Sequence, residues 1–393
     1  MAVQIKRVYG FQFGLLCLSS FLFFSSFNMI IPELPDYLSS LGGAEYKGLI
    51  ISLFTLTAGL SRPFSGMLAD KIGRVPVMVV GGVVCVAAGF MYPLVSSVAA
   101  FLLLRFMHGF STGFTPTGKS AYVADVVPVE RRGEAMGLLG LSGSLGMAAG
   151  PALGGFISSQ FPIEVMFYTS SAAAFLSVAV IWHMQETVQN PVPFRLGLLR
   201  ISRKEVLEPR VLAPSLVMLL TAFSFGTILT IIPDFSEHLG IRNKGLFFTS
   251  FTLASLAIRF LAGKASDKYG RVLVLRVSTG LLTLAMLVIG MVSTATELLL
   301  AGILFGIATG MNSPTIYAWT IDLSHDAHRG RAMATMYIAL EAGIGVGALS
   351  SGWLYGNQSS HFALVFWTAA IFSLIAFLYL VLLVKREHVL EPV

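Results

Sequence analysis

Long runs of apolar residues alternate with short polar segments along nearly the whole chain. A helix needs about 20 mostly apolar residues to cross the hydrocarbon core of a bilayer, and the runs are of this kind. A transmembrane β-barrel would instead show short segments in which apolar and polar positions alternate. The pattern therefore predicts an all-α membrane protein with twelve spans. Numbered 1 to 12, they centre near Phe21, Leu56, Val84, Leu104, Leu145, Phe175, Phe223, Leu256, Ala285, Phe305, Gly345 and Phe372.

The composition excludes the main alternatives to a membrane protein. Of the 393 residues 55% are apolar and 12% are charged, whereas a soluble domain carries roughly 25% charged residues. Disordered chains are polar and poor in aromatics, but this chain has 30 phenylalanines. Its two cysteines, Cys17 and Cys85, both lie in apolar runs, so neither a disulfide framework nor a metal site is expected.

The basic residues predict the orientation. If both termini are cytoplasmic, 22 of the 26 Lys and Arg residues fall at or near cytoplasmic ends. Three fall outside (Lys47, Arg242 and Lys244), and Arg105 falls within a span. This positive-inside bias favours a multi-pass plasma (inner) membrane protein with both termini in the cytoplasm. Basic residues spread over many short loops do not form the contiguous face that a nucleic acid requires, so we expect no nucleic-acid partner.

The chain consists of two related halves. The longest polar stretch, residues 185–210, separates six spans in residues 1–184 from six in residues 211–393. Many residues recur 197 positions later, which predicts two six-helix bundles related by pseudo-symmetry, with a binding site between them near the membrane midplane. The recurring pairs include Arg62 with Arg259, Gly66 with Gly263, Asp70 with Asp267, Arg74 with Arg271, Gly109 with Gly306 and Asp125 with Asp322; Asp36 recurs as Asp234 at an offset of 198.

Three motifs carry a resemblance to a known family. The segment GMLADKIGR between spans 2 and 3 resembles motif A of the major facilitator superfamily (MFS). Arg105 and Gly109 in span 4 resemble its motif B, and Gly146-x-x-x-Gly150-Pro151-x-x-Gly154-Gly155 in span 5 resembles motif C of the 12-helix drug:proton antiporters. The resemblance implies the MFS fold and secondary transport by alternating access.

Motif A and its repeat are the predicted cytoplasmic gate. We expect Gly66 to allow a close helix approach, and Asp70, Arg74 and Asp125 to form a charge network that holds the cytoplasmic side shut. The alternative is a solvated loop that only anchors the orientation. The gate candidates are Gly66, Asp70, Gly73, Arg74, Asp125, Gly263, Asp267, Gly270, Arg271 and Asp322.

The glycines of motif C predict a tight helix–helix contact in span 5. Small residues let helix backbones approach closely in lipid, and we expect this face to pack against a helix of the other half. Ordinary small-residue packing is the alternative. The residues are Gly146, Gly150, Pro151, Gly154 and Gly155.

A polar stripe follows one face of span 4. Arg105, His108, Thr112, Thr115 and Lys119 are spaced by three and four residues, so they must face a cavity or polar partners. The repeat keeps only the two central polar positions, which makes Arg105 and His108 candidates for coupling or substrate binding. Arg105 can instead fix helix packing by capping backbone carbonyls, and Lys119 is expected to snorkel to the cytoplasmic surface.

Glu341 in span 11 is the first candidate for a proton-coupling carboxylate. Its counterpart in the repeat is Ser144, and a carboxylate at membrane depth is costly when ionised. The alternative is a neutral glutamic acid that is hydrogen-bonded across helices. Further candidates for the substrate or coupling site are Asn28, Thr112, Thr115, Asn312 and Tyr337.

Two classes of function remain open. The first is proton-coupled efflux, by antiport, of small amphiphilic or drug-like molecules. The second is an importer, symporter or facilitator of a small metabolite, with Arg105 and His108 holding an anionic group. Residues 113–120 match the P-loop pattern but lie in an apolar span, where no strand precedes the loop. We therefore expect a monomeric transporter of a small molecule in the lipid bilayer, driven by a proton gradient, with no cofactor and no enzymatic activity.

Overall fold

The computed structural model describes residues 10–128, 131–195, 198, 207–324 and 329–384. In this part of the chain the secondary structure is helical and contains no strand. The predicted all-α fold is confirmed. The twelve long helices in these ranges are α1 Phe11–Ile30, α2 Lys47–Lys71, α3 Arg74–Met91, α4 Val98–Val126, α5 Arg132–Gln160, α6 Ile163–Trp182, α7 Leu212–His238, α8 Gly245–Tyr269, α9 Arg271–Ile289, α10 Ala295–Leu323, α11 Arg329–Tyr355 and α12 Phe362–Leu382. A short helix, Leu34–Ser40, continues α1.

Most of these helices meet the requirements of a membrane span. Within the described residues, ten are long and apolar enough to cross a bilayer. An eleventh, α8, qualifies if its two segments, Gly245–Arg259 and Leu261–Tyr269, are one span bent by 45°. The remaining long helix, α2, carries Arg62, which lowers its mean hydropathy.

Within each half, glycines bring the first and fifth helices into backbone contact. A Cβ on Gly146 would collide with the carbonyl oxygen of Phe21 in α1, and a Cβ on Gly150 would lie 2.5 Å from that of Ser25. In the second half Gly347 of α11 faces the Phe223 carbonyl of α7 in the same way. The expectation that this face of α5 packs against the other half is therefore wrong for Gly146, Gly150 and Gly154.

Two helix pairs join the halves, and the first is α2 with α11. A Cβ on Gly48 would lie 2.9 Å from the carbonyl oxygen of Ala348. Two turns further along α2, Oγ1 of Thr55 would lie 2.8 Å from a Cβ on Gly345 of α11. Contacts at this distance leave no room for larger side chains, so the two helices meet backbone to backbone.

The second pair, α5 with α8, repeats the first at the 197-residue offset. Gly245 lies against the carbonyl oxygen of Pro151, and Oγ1 of Thr249 donates a 2.8 Å hydrogen bond to the carbonyl of Ala148. Gly155 faces the side chain of Asn243. Pro151 and Gly155 are thus the motif C residues that do contact the other half.

The bundle has two ends, which we name by their residues. The linker end holds the α2–α3 and α8–α9 connections and the segment that joins the halves, in which the Val192 amide donates to the Lys71 carbonyl. The clamp end holds Lys47 and Lys244, the residues that precede or open α2 and α8. The contacts between the halves begin at the clamp end.

The glycine contacts predict a sharp difference between two substitutions in α5. Gly146→Ala should lower the stability by roughly 1–3 kcal/mol, because the added methyl overlaps the α1 backbone. Gly137→Ala is the matched control: no described atom lies within 4 Å of its added methyl, so it should be neutral or stabilising by up to about 1 kcal/mol. Thermal unfolding of the purified proteins measures both, and equal shifts would contradict the packing described here.

Candidate functional site

A buried ion pair joins the halves at the middle of the bundle. Nη2 of Arg62 in α2 donates a 2.6 Å hydrogen bond to Oε1 of Glu341 in α11. The two side chains are 15% and 10% exposed. Gly59, one turn before Arg62, leaves space for the Glu341 side chain, whose Cβ would be 3.4 Å from an added methyl. The Tyr337 ring lies under the guanidinium, 4.7 Å from ring centroid to Cζ.

The repeat contains the same arginine with a different partner. Arg259 of α8 occupies the position of Arg62, and Ser144 of α5 occupies that of Glu341. Nη1 of Arg259 lies 3.5 Å from Oγ of Ser144, and its buried Nε has no hydrogen-bond partner among the described residues. Pseudo-symmetry therefore places two arginines at equivalent points between the halves, and a carboxylate neutralises one of them.

Arg105 and His108 lie inside the first half. Nε of Arg105 donates to the carbonyl oxygen of Ile50 at 3.0 Å, and Nη1 donates to the Tyr92 hydroxyl at 3.2 Å. The His108 ring contacts Nη1 of Arg105, the Tyr92 hydroxyl and Sγ of Cys85 at 3.3–3.4 Å. These contacts match the alternative role of Arg105, in which it caps backbone carbonyls and fixes helix packing. A role of Arg105 or His108 in coupling or substrate binding stays a prediction.

The rest of the span 4 stripe is also buried in the first half. Oγ1 of Thr115 donates to the Met78 carbonyl of α3 at 3.0 Å, and Oγ1 of Thr112 donates to Gly109 of its own helix at 3.1 Å. Lys119 is 1% exposed, and its Nζ lies 5.2 Å from the centroid of the Phe23 ring. The expectation that Lys119 snorkels to the surface is wrong, because α1 covers it.

The remaining candidates are divided between the halves. Nδ2 of Asn28 donates to the Phe24 carbonyl of its own helix at 2.8 Å. Nδ2 of Asn312 donates to the Thr221 hydroxyl at 2.9 Å, and its Oδ1 accepts from Ser278 at 3.2 Å. Of the predicted coupling set, Tyr337 and Glu341 contact Arg62 of the other half, whereas Asn28 and Asn312 make their described hydrogen bonds within their own halves.

Two lysine–aspartate bridges close the clamp end. Lys47 of the first half pairs with Asp234 of the second, and Lys244 of the second pairs with Asp36 of the first. The pseudo-symmetry that relates the halves also relates these two pairs, so the two bridges are equivalent. Nζ of Lys244 also contacts Glu237 at 2.9 Å. Burial acts to lower the pKa of Lys244, but the hydrogen bonds with Asp36 and Glu237 outweigh it and raise the pKa, so the lysine stays charged.

Each half has its own charge network at the linker end. Arg74 donates from Nη1 to Asp70 at 2.6 Å and from Nε to Asp125 at 3.0 Å. Arg271 donates to Asp267 and, at 2.9 Å, to Asp322. These residues are brought together within each half, and the Asp70 side chain is 71% exposed rather than buried.

Backbone conformation favours glycine at two positions of motif A and its repeat, whereas two others have open space beside them. Gly73 and Gly270 have φ of 134° and 88°, a region that favours glycine, and a Cβ on Gly73 would also lie 2.5 Å from Glu186. Gly66 is different, because a Cβ there would meet only Thr117, at 4.0 Å, and one on Gly263 would have no described atom within 4 Å. The expected close helix approach at Gly66 is absent from this arrangement, since the space beside both glycines is open.

The sequence reasoning missed four basic residues that join the halves: Arg62, Arg259, Lys47 and Lys244. In the sequence the arginines lie close to motif A and fall among the cytoplasmic charges, and the lysines fall among the outer charges. The signal that could have found them is the repeat itself, since Arg62 and Lys47 both recur at an offset of 197.

The sequence profile of the Major Facilitator Superfamily matches residues 16–242 and 214–392. With the two six-helix halves and the duplicated motif A, this match covers nearly the whole chain. The protein belongs to the Major Facilitator Superfamily, a family of transporters and not of enzymes, and it is a multi-pass membrane protein.

Relatives and solved structures agree with this assignment. The multi-drug resistance efflux pump PmrA of Streptococcus pneumoniae is 28% identical over 355 residues, which cover 87% of this chain and 88% of PmrA. The multidrug resistance protein MdtG of Salmonella schwarzengrund is 26% identical over 337 residues, covering 80% of this chain and 81% of MdtG.

Solved structures support the fold at lower identity. A D-xylose-proton symporter superposes with a TM-score of 0.79 at 16% identity, over 96% of this chain and 98% of that one. The human organic anion transporter MFSD10 superposes with a TM-score of 0.73 at 21% identity, over 94% and 98%.

The clamp-end bridges predict that substitutions of Lys47 and Asp234 have non-additive effects on stability. Lys47→Asp should lower the apparent melting temperature because it places two carboxylates together, and Lys47→Asp combined with Asp234→Lys should recover most of the loss. Pairs in contact have coupling energies of about 0.5–3 kcal/mol. Arg242→Asp reverses an exposed charge at the same end and should shift the stability by about 0.5 kcal/mol or less. Additive effects of the two clamp substitutions would contradict the bridge.

Proposed function

We propose that the protein is a proton-coupled antiporter that exports small amphiphilic or drug-like molecules by alternating access. The observation that carries this proposal is the ion pair between Arg62 and Glu341. It is the one carboxylate–guanidinium pair described here that crosses from half to half near the middle of the bundle, and its carboxylate is absent from the repeat.

Proton binding at Glu341 provides a physical route from a gradient to a conformational change. When ionised, Glu341 holds α11 against α2 through Arg62. When protonated, it loses the charge that attracts the guanidinium, and an unpaired buried charge is costly. Protonation therefore favours separation of the helices at this point, which is the point where the halves must move.

Orientation and access follow from the two ends. The positive-inside bias supports a linker end in the cytoplasm of a plasma membrane. The two lysine–aspartate bridges lie at the opposite, outer end, and the open space beside Gly66 and Gly263 lies at the cytoplasmic end. This arrangement is that expected of a transporter closed to the outside. In the opposite state, motif A and its repeat would close the cytoplasmic side.

The relatives support efflux. PmrA is a multi-drug resistance efflux pump and MdtG is a multidrug resistance protein, and each aligns over most of this chain. Motif C, which is associated with drug:proton antiporters, supports the same direction.

The alternative is an importer, symporter or facilitator of a small metabolite, including an anionic one. One observation favours it: a basic side chain, Arg259, lies between the halves without a carboxylate partner. Transport direction distinguishes the two. Everted vesicles energised with a proton gradient should accumulate at least one of a panel of anionic, neutral and cationic fluorescent amphiphiles, and accumulation by intact cells instead would favour import.

Neutralising Glu341 should uncouple transport. We expect everted vesicles with Glu341→Gln to show no proton-driven accumulation above vesicles that lack the protein, while membrane insertion is unchanged. Glu45→Gln, at an exposed glutamate of the clamp end, should transport normally and is the matched control.

Glu341→Gln leaves Arg62 buried without a partner, which can impair folding. A second variant separates a folding defect from a loss of coupling. Breaking one side of a buried pair costs about 3–5 kcal/mol, whereas removing both charges is far less costly. The double variant Arg62→Gln, Glu341→Gln should therefore fold and still fail to transport. Normal proton-driven transport by either variant would rule out Glu341 as the coupling residue.

A further inference from the structure

The two contacts between the halves differ at one point. Each begins at a lysine–aspartate bridge, continues through small residues, and ends at an arginine of the second helix of its half. In the first contact that arginine, Arg62, is neutralised by Glu341. In the second, Arg259 faces the hydroxyl of Ser144 at 3.5 Å, and a hydroxyl cannot balance its charge.

Nothing else in the described chain neutralises Arg259. No ion pair of Arg259 with an aspartate or glutamate occurs among the described residues, and its Nε, like that of Arg62, is buried without a hydrogen-bond partner there. A buried donor without a partner costs about 1–3 kcal/mol, and more when it is charged. Binding of a hydrogen-bond acceptor at Arg259 would recover this free-energy cost.

The residues near Arg259 indicate which chemical groups, besides a hydrogen-bond acceptor, a ligand bound there would carry. The Tyr337 ring stacks on Arg62, and the ring centroid of Tyr317 lies 5.8 Å from that of Tyr337. An aromatic pair thus lies beside the arginine of the first contact. With Glu341 ionised, the two arginines and this carboxylate leave a net charge of one positive unit between the halves.

We propose that Arg259 is an anion-binding residue of the transport site, and that the substrates are amphiphiles carrying a carboxylate, sulfonate or phosphate. A guanidinium presents its donors in a planar fork that matches these groups. The anionic group binds to Arg259 beside Ser144, and the apolar part of the substrate lies against Tyr317 and Tyr337. The proposal rests on the proposed transport function, whose substrate class it narrows.

The test compares three probes that share a fluorophore and differ in charge. Dansylglycine carries a carboxylate, dansylglycinamide is its neutral amide, and dansylcadaverine is a cation of the same fluorophore. Binding to the purified full-length protein in nanodiscs is followed by dansyl fluorescence, with no gradient present. We expect dansylglycine to bind about tenfold more tightly than the amide, the change expected for one hydrogen-bonded charge pair, and dansylcadaverine to bind more weakly than either.

Two variants assign the preference to Arg259. Arg259→Gln should abolish the difference between dansylglycine and its amide while leaving the affinity for the amide similar. Ser144→Glu should also abolish it, because it copies the first-half pair and gives Arg259 an internal carboxylate. Ser159→Glu adds the same charge at the exposed clamp end of α5 and should keep the preference.

The outcomes are decisive in both directions. Equal affinities of the wild-type protein for the three probes, binding of none of them, or a preference that survives in both Arg259→Gln and Ser144→Glu would overturn the proposal. Since binding is measured without a gradient, a failure of proton-driven transport in vesicles leaves this result unaffected. Conversely, a transporter that is proton-coupled but binds all three probes equally would retain the proposed function and lose this inference.

Discussion

A charge inside a bilayer needs a partner, and this constraint accounts for the ion pairs that join the two halves. Isolated charged groups are costly in hydrocarbon, and three ion pairs between the halves each bring a basic and an acidic side chain together. Lys47 pairs with Asp234, Lys244 with Asp36, and Arg62 with Glu341. Each of these pairs has one member in each half. These localised electrostatic contacts add to the backbone and apolar packing between the halves, and a change of charge at one of them changes the contact.

Helix packing within a half depends on different residues from the contact between halves. In lipid, helices gain little from burying apolar surface and associate through small residues and close backbone contact. Gly146 and Gly150 fix α5 on α1, and Gly347 fixes α11 on α7. Such contacts are rigid, because no side chain intervenes. Such packing is expected to let each half move as a unit.

The pseudo-symmetry separates shared scaffold from the residues that one half has alone. Both halves keep the motif A network, the clamp lysine, the clamp aspartate and the arginine between the halves. Glu341 and its counterpart Ser144 break the symmetry, and this one difference converts two equivalent arginines into a paired and an unpaired one. The two positions are therefore chemically distinct, and we propose that the first responds to a proton and the second receives an anion.

The sequence by itself determined the membrane class, the helical spans and the duplication, and it singled out Glu341 as a candidate, because hydropathy, charge and repeats are properties of the order of residues. It assigned Arg105, His108 and Lys119 to one polar stripe, and they do share a helix face. Which neighbour that face meets was decided only by the tertiary structure, which buries them against α1, α2 and α3. The partnership of Arg62 with Glu341 was likewise out of reach, since the two residues are 279 positions apart and meet only because the α2 and α11 backbones approach closely at their small residues.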